Sequence, residues 1–434
     1  MKTLLPILIL STLSACGGEE NNIPVQKTDN ISWGASRITE AQKTNHEWID
    51  SFDNAPTIPV TSTIDDALSA CPKNDYCILT IDKLALSETV NLGRSKTKLI
   101  GKKNNKITFS IISGTSGTFF TLKNNVNNIV FENLNIDGES TNYGSESIHG
   151  FFIKGKSIHN IAFIKNHIHH FSSDEDAHGI AVYGTGSTEN SAIENIIIDA
   201  NNIHNMRTGS SESVVVNGNV KRWRISNNKI SQINNIAIDA IGGEGTSPVQ
   251  IIDGRTLPGE LDAARYGVIE GNTITDMSTE TNPSYGNKHS WAGAIYIDGA
   301  HHVHILNNTV NNAEWAYDIG AENCVESRYI VLEKNTANKS YFGDLYIGGY
   351  REIGYKKDKN INCNPETTTD DIEGHGYVQN ITVNNNQFNT VSPQVNSIQL
   401  ENRISQSIII HPGIKAEYPD GKVTGDQRSI RITK

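Results

Sequence analysis

Phe163-Ile164-Lys165-Asn166-His167-Ile168 is the stretch that decides the fold. It reads apolar-x-apolar, then Asn, one residue, then a large apolar side chain. The same pattern returns with Asn201, Asn228, Asn272, Asn308 and Asn386 in the Asn slot. Asn335 heads a weaker copy that closes on Ala337, and a copy at Phe131 to Ile136 has Leu134 where Asn is expected. The copies recur at irregular steps of roughly 27–50 residues, each the size of one supersecondary unit. Most are followed by a second short strand, such as His178-Gly179-Ile180-Ala181-Val182-Tyr183-Gly184. Strands of this kind joined by Asn and Gly corners, repeated without a domain break, describe an all-β solenoid. The Asn residues are expected to stack in one corner ladder and to take the left-handed turn conformation that Asn tolerates.

Outside the repeats the chain divides into 1–15, 16–45 and 46–434. The first segment has Lys2 ahead of the apolar run Leu4 to Leu13, which is too short to stay as a membrane span. Leu13-Ser14-Ala15-Cys16 resembles the lipobox of bacterial lipoproteins. That resemblance implies a lipid on Cys16, export, and anchorage in the cell envelope. Gly17 and Gly18 in place of Asp imply the outer membrane. Residues 16–45 are polar and read as a tether.

The net charge of −11 argues against a nucleic-acid binder, which needs a basic face. It does not exclude an anionic substrate, because local fields outweigh the total. A monomer is expected. Cys71, Cys77, Cys324 and Cys363 remain after Cys16, and in an oxidising compartment three pairings are open. Cys71–Cys77 and Cys324–Cys363 each bracket a local loop and are the expected pairs. Thr63-Ile64-Asp65-Asp66-Ala67-Leu68 reads as a short capped helix that covers the first coil. Residues 244–265, 278–291 and 351–378 are insertions rich in turn residues and charge, placed where binding groups usually sit on a rigid scaffold.

Taken together, the repeated coils of residues 60–430 resemble the right-handed parallel β-helix, or pectate-lyase-like, superfamily. Its members mostly cleave polysaccharides, as hydrolases or lyases. The resemblance therefore implies a right-handed single-stranded parallel β-helix and a polysaccharide substrate, while fold alone does not choose the chemistry.

Because side chains alternate across a strand, the strand after each Asn corner can be aligned coil by coil. The inward pairs read Ile180/Val182, Val214/Val216, Ile236/Ile238, Ile295/Ile297, Tyr317/Ile319 and Leu345/Ile347. The first outward position then carries Ala181, Val215, Ala237, Tyr296, Asp318 and Tyr346. The second carries Tyr183, Asn217, Asp239, Asp298, Gly320 and Gly348. Asp239, Asp298 and Asp318 thus gather on one face as candidate catalytic carboxylates. Stacked like charges need compensation by a metal, a shared proton or a cationic transition state. Trp291, Tyr296, Trp315, Tyr346, Glu322, His178, Asn217 and Arg351 are the candidate substrate-binding residues around them.

A hydrolase needs one carboxylic acid and one carboxylate and no cofactor, which three Asp supply. The polygalacturonase-like group clusters Asp on this fold. The chain has Gly374-His375-Gly376 but lacks, in matching places, that group's Asp-Asp doublet and its later Arg-Ile-Lys. The alternative is a lyase, with Ca²⁺ held by the acids and Tyr296, Tyr346, His178 or Lys288 as base. The Arg-His-Gly motif of alginate and dermatan lyases is not present. A non-catalytic glycan-binding lipoprotein is the third reading.

Overall fold

The computed structural model describes residues 44–434 except 111–115, 140–143, 145, 253–254, 324, 350–354, 357–360, 363–375, 377, 391–397, 401–407, 411–429 and 433–434. Cys16, Cys324, Cys363, Arg351, Gly374 and His375 lie outside the described residues, as do 1–43 of the leader and tether.

Among the described residues the strands form two long parallel sheets, one of ten strands and one of twenty-one. The ten-stranded sheet carries the face of interest. Seven of its strands concern the site: β1 (Ile148–Gly155), β2 (Ala177–Gly184), β3 (Val214–Gly218), β4 (Ile238–Ile241), β5 (Gly293–Asp298), β6 (Trp315–Gly320) and β7 (Gly343–Ile347). Each pairs in parallel with the next. Their inward residues make two continuous apolar stacks. One runs Ile180, Val214, Ile238, Ile295, Tyr317, Leu345, and the other Val182, Val216, Ala240, Ile297, Ile319, Ile347. All twelve are buried in one core cluster.

The Asn corner is a hydrogen-bonded ladder. Asn201 Oδ1 accepts from Asn166 N at 2.9 Å and from Asn166 Nδ2 at 3.0 Å. Asn166 Nδ2 also donates to Phe131 O at 3.0 Å. The same set of bonds links Asn201 to Asn228, then Asn272, Asn308, Asn335 and Asn386. Asn335 is a full rung despite Ala337. At the upstream end Leu134 N donates to Asn166 Oδ1, and Leu134 offers no amide of its own. The left-handed conformation belongs to the residue before each rung, not to the rung. Asn133, Lys165, Ala200, Asn227, Gly271, Asn307, Lys334 and Asn385 hold φ between 52° and 65°. The rung Asn is selected instead for its amide, which saturates the buried backbone groups of neighbouring coils.

The helix Ile64–Ser69 is capped by Thr63, whose Oγ1 accepts from Asp66 N at 3.1 Å, and it buries Ile64 and Ala67 in the main core. It stands before the first coil, whose sheet edge also carries the short strand Thr57–Pro59 paired to Ile78–Thr80. Cys71 and Cys77 follow, with Cα atoms 5.8 Å apart and sulfurs at bonding distance.

The core is filled to the point where glycine is required. Trp223 is fully buried and pairs across the sheet with Gly267, where an added Cβ would lie 2.0 Å from the indole Cζ2. Gly267→Ala is therefore expected to lower stability by about 2–3 kcal/mol, the upper range for overpacking, measured by chemical denaturation. Gly101→Ala makes a poor control because backbone blocks it too, and so does Gly286→Ala, where space is open but φ is 70°.

Candidate active site

The outward residues of β3–β7 are where sequence alignment and structure diverge. Val214 pairs with Ile238, not with Ile236, so β4 sits two residues further along than the alignment placed it. Asp239 consequently moves from the second outward position to the first. That column reads Ala181, Val215, Asp239, Tyr296, Asp318, Tyr346. Asp298 occupies the second position, opposite Gly320. A two-residue slip preserves the in/out alternation, so no hydrophobic penalty betrays it in the sequence. The turn before β4 sets it, with Asn235 Nδ2 donating to Gly209 O and Ser211 O at 3.0 Å each.

The result is that Asp239 and Asp318 flank Tyr296, and Asp298 lies two residues on from that tyrosine. All three acids line one cleft of about 550 Å³ together with Glu212, Glu244, Glu322, Tyr285, Trp291, Tyr296 and Tyr346. Six carboxyl groups thus share the cleft. Among the described residues that line it, none carries a positive charge.

The acids are not equivalent. Asp298 Oδ1 accepts from Glu322 N at 2.6 Å and Oδ2 from Asn323 Nδ2 at 2.5 Å, bonds that suit the ionised form. Asp239 and Asp318 are each buried with Oδ1 lacking a partner. Burial, then Glu212 and Asp298, holds the Asp239 carboxyl well above the usual carboxylate range. Burial, then Glu322 and Asp298, does the same for Asp318. Glu212 is raised as well, by burial and then by Glu244. Tyr296 donates to Glu322 Oε1 at 2.8 Å, and burial followed by the Asp298 charge drives its phenol further toward the protonated form.

Two inserted loops wall the cleft. The 278–291 loop is anchored by Glu314, which accepts from Thr279 N at 2.8 Å, Thr279 Oγ1 at 3.0 Å and His289 Nδ1 at 2.9 Å. Asn282 Nδ2 ties the loop to Gly209 O and Asn234 O. This pinning brings Tyr285 and Trp291 to the rim. Burial pushes the Tyr285 phenol up to about 12. In the 244–265 loop, Asp262 accepts from Gly245 N at 2.6 Å and Ser247 N at 2.8 Å. Gly243 turns the chain outward at φ 82°, where a Cβ would meet Asn323 O at 2.2 Å.

Other sequence expectations are corrected by side-chain placement. Trp315 is buried rather than offering a flat face. Its ring packs against Trp291 and Tyr346, at 5.4 and 5.6 Å between centroids, and these two rings cover it. Asn217 is buried, and its Nδ2 donates to Glu244 Oε2 at 2.7 Å, so it orients an acid of the cleft rather than meeting the solvent. His178 is also buried, and lies behind the cleft wall with its Nδ1 on Glu212 O at 2.7 Å. Glu212, Glu244 and Tyr285 went unassigned in the sequence. Glu212 stands two residues before β3, where extending the coil alignment upstream of Val214 would have found it opposite His178. Tyr285 sits in an irregular loop and left no periodic signal.

No family model matches the chain. The uncharacterized protein YwoF of Bacillus subtilis is 38% identical over 230 residues, a match covering 51% of this chain and 44% of that protein. The chain thus aligns with less than half the length of that curated relative. Among solved structures, the A-module of the Azotobacter vinelandii mannuronan C-5 epimerase AlgE6 superposes with a TM-score of 0.50 at 11% identity, over 85% of this chain and 92% of that one. The GH136 lacto-N-biosidase of Eubacterium ramulus gives 0.46 at 12% identity, over 87% and 67%. Parallel pairing through every coil, the closed apolar stacks and the superposition on the epimerase module identify the chain as a right-handed parallel β-helix protein.

Proposed function

We propose that the chain is a polysaccharide-degrading enzyme, a glycoside hydrolase in which Asp298 acts as base and Asp318 as general acid, with Asp239 as a second protonated carboxyl that hydrogen-bonds the sugar. The observation that carries this reading is the contrast among neighbouring acids. Asp298 accepts two hydrogen bonds, whereas Asp239 and Asp318 are buried, each with an unpartnered oxygen, and pushed toward the protonated form. A pair of carboxyls with separated affinities for protons is what acid–base glycoside cleavage requires. The surrounding acids favour a transition state with oxocarbenium character, and Trp291 and Tyr346 supply ring faces for sugars.

Strand spacing of about 4.8 Å and a rise of about 3.3 Å per residue put the Asp298 Cα about 8 Å from those of Asp239 and Asp318. Outward side chains on one sheet run roughly parallel, so the carboxyls keep a similar separation. That distance suits inversion, with room for a water, better than the about 5–5.5 Å of retaining enzymes. A cleft whose described lining is acidic and lacks a cation fits a neutral or amino sugar better than a uronate. Lipid attachment at Cys16 and placement in the outer membrane belong to the same proposal, as does action on glycans at the cell envelope.

The test is a product assay on a glycan panel. New reducing ends without absorbance near 232–235 nm, and an inverted anomer by proton NMR at early times, are expected. Unsaturated products that vanish on Ca²⁺ chelation would replace this reading with a lyase whose acids are metal ligands. Glycan binding with no product from any panel member would leave a binding protein.

A further inference from the structure

Behind the upstream wall of the cleft lies a cluster that the proposed hydrolysis does not use. His149 on β1 and His178 on β2 are register partners on adjacent coils, and Asp176 precedes β2. One ligand atom from each of the three lies within 4.8 Å of the others. His178 Nε2 is 3.2 Å from Asp176 Oδ1, and His149 Nε2 is 3.8 Å from Asp176 Oδ2. The two imidazoles are almost wholly buried, with side chains 8% and 2% exposed, while Asp176 is 35% exposed and gives the cluster an opening to solvent.

The hydrogen bonds around the cluster determine what its facing atoms are. His178 Nδ1 lies 2.7 Å from the backbone carbonyl of Glu212. A carbonyl oxygen only accepts, so Nδ1 carries the proton. In the neutral ring, which this depth of burial favours, Nε2 is then a bare lone pair aimed at a carboxylate oxygen. Two acceptors facing each other at 3.2 Å repel unless a cation sits with them. A backbone carbonyl on Nδ1 is also the usual outer partner of a metal-ligating histidine, fixing the tautomer that leaves Nε2 free. Asp176 is similarly oriented, with Oδ1 accepting from Ser211 Oγ at 2.6 Å and its N–H donating to Ser173 Oγ at 3.0 Å. His149 makes no bond through Nδ1, which is buried without a partner, so its Nε2 is the nitrogen turned toward the shared point.

We propose that His149, Asp176 and His178 form a binding site for a first-row divalent metal ion of the zinc class. Two imidazole nitrogens and one carboxylate suit such ions, whereas Ca²⁺ and Mg²⁺ prefer oxygen alone. Ligand bonds of about 2.0–2.2 Å imply edges of about 3.4 Å in a tetrahedral site. The Asp176–His178 pair already meets that spacing, and the His149 ring must turn toward the other two, from 3.8 Å to Asp176, to complete it. Water entering past Asp176 completes the shell. The site is structural in consequence: it ties β1 to β2 and, through the Glu212 carbonyl, holds the strand end that presents the Glu212 side chain to the cleft.

The experiment uses the purified chain stripped with chelator and titrated with Zn²⁺ against a chromophoric competitor, with Co²⁺ absorption as a second readout. About one equivalent of tight binding is expected, with intense visible bands for Co²⁺ in tetrahedral nitrogen and oxygen ligation. Asp176→Asn, which keeps the volume, and His178→Ala should each weaken binding at least tenfold. A parent chain that binds less than about a tenth of an equivalent overturns the proposal. So does undiminished binding in Asp176→Asn, which the parent titration and this conservative variant decide even where His178→Ala fails to fold. Loss of binding in a His169→Ala/His170→Ala double variant but not in Asp176→Asn would assign the metal to Asp137, His169 and His170, whose ligand atoms also lie within 4.8 Å of one another, and overturns it equally.

Discussion

Asp298→Asn is expected to lower turnover by roughly 10²–10⁴-fold on whatever glycan the parent cleaves, the usual worth of a positioned proton transfer. The Asn keeps an oxygen for one of the bonds from Glu322 N and Asn323 Nδ2 but cannot take up a proton. Asp318→Asn should fall by a similar factor on natural glycans and by much less on an aryl glycoside with a good leaving group, because such a group departs without a proton. Equal losses on both substrates would remove Asp318 from the acid role. Near-normal activity in every Asn variant would reject the site.

The same variants should separate activity from stability. Asp239 and Asp318 have folded-state affinities for protons raised by burial first. A raised carboxyl contributes its stability in full below the unfolded value, about 3.9 for Asp, and loses it as pH climbs through the folded value. At neutral pH the buried acids therefore cost stability. Asp239→Asn and Asp318→Asn should melt several degrees above the parent at pH 7–8, and the gain should shrink toward pH 4. The activity of the parent should show an alkaline limb where the acid loses its proton. Variants that melt lower than the parent at pH 8 would contradict the burial argument.

The second large effect is structural. Asn272→Ala in the middle of the ladder removes the acceptor for Asn228 N and Nδ2, and the donor to Ile225 O. It also removes one of the two donors to Asn308 Oδ1, which keeps only the Asn272 backbone N–H. Each buried group left unmatched costs about 1–3 kcal/mol, so a loss of about 3–5 kcal/mol is expected by denaturant titration. That places it among the largest single-residue effects. Leu at this slot should be no better than Ala, since Leu134 is accommodated only at the ladder's upstream end. There Asn105 takes over, donating to Asn133 O at 2.8 Å and accepting from Asn135 N at 2.7 Å. Asn272→Asp, which keeps the acceptor but buries a charge without a counterion, should cost at least as much as Ala.

The architecture was legible from the order of residues because a solenoid repeats its physics locally. Each coil must bury Ile or Val at alternate positions and must saturate the same corner backbone, so Phe163–Ile168 and its copies carry the fold in plain view. The capped helix at Ile64 and the pairing of Cys71 with Cys77 were equally local, since cap and loop each span a few residues. The acids could be gathered on one face for the same reason. What periodicity could not supply was register. A slip of two residues leaves every side chain on its own face, and only the turn made by Asn235, reaching back to Gly209 and Ser211, placed Asp239 beside Tyr296 instead of beside Asp298. Nor could it show depth. Trp315 is covered by Trp291 and Tyr346, and His178 turned to a carbonyl one coil away. Alternation along one strand fixes which side a residue faces, whereas how far it is buried, and which acid keeps its proton, depends on neighbours roughly 27–50 residues away in sequence that only the closed coil brings within a hydrogen bond.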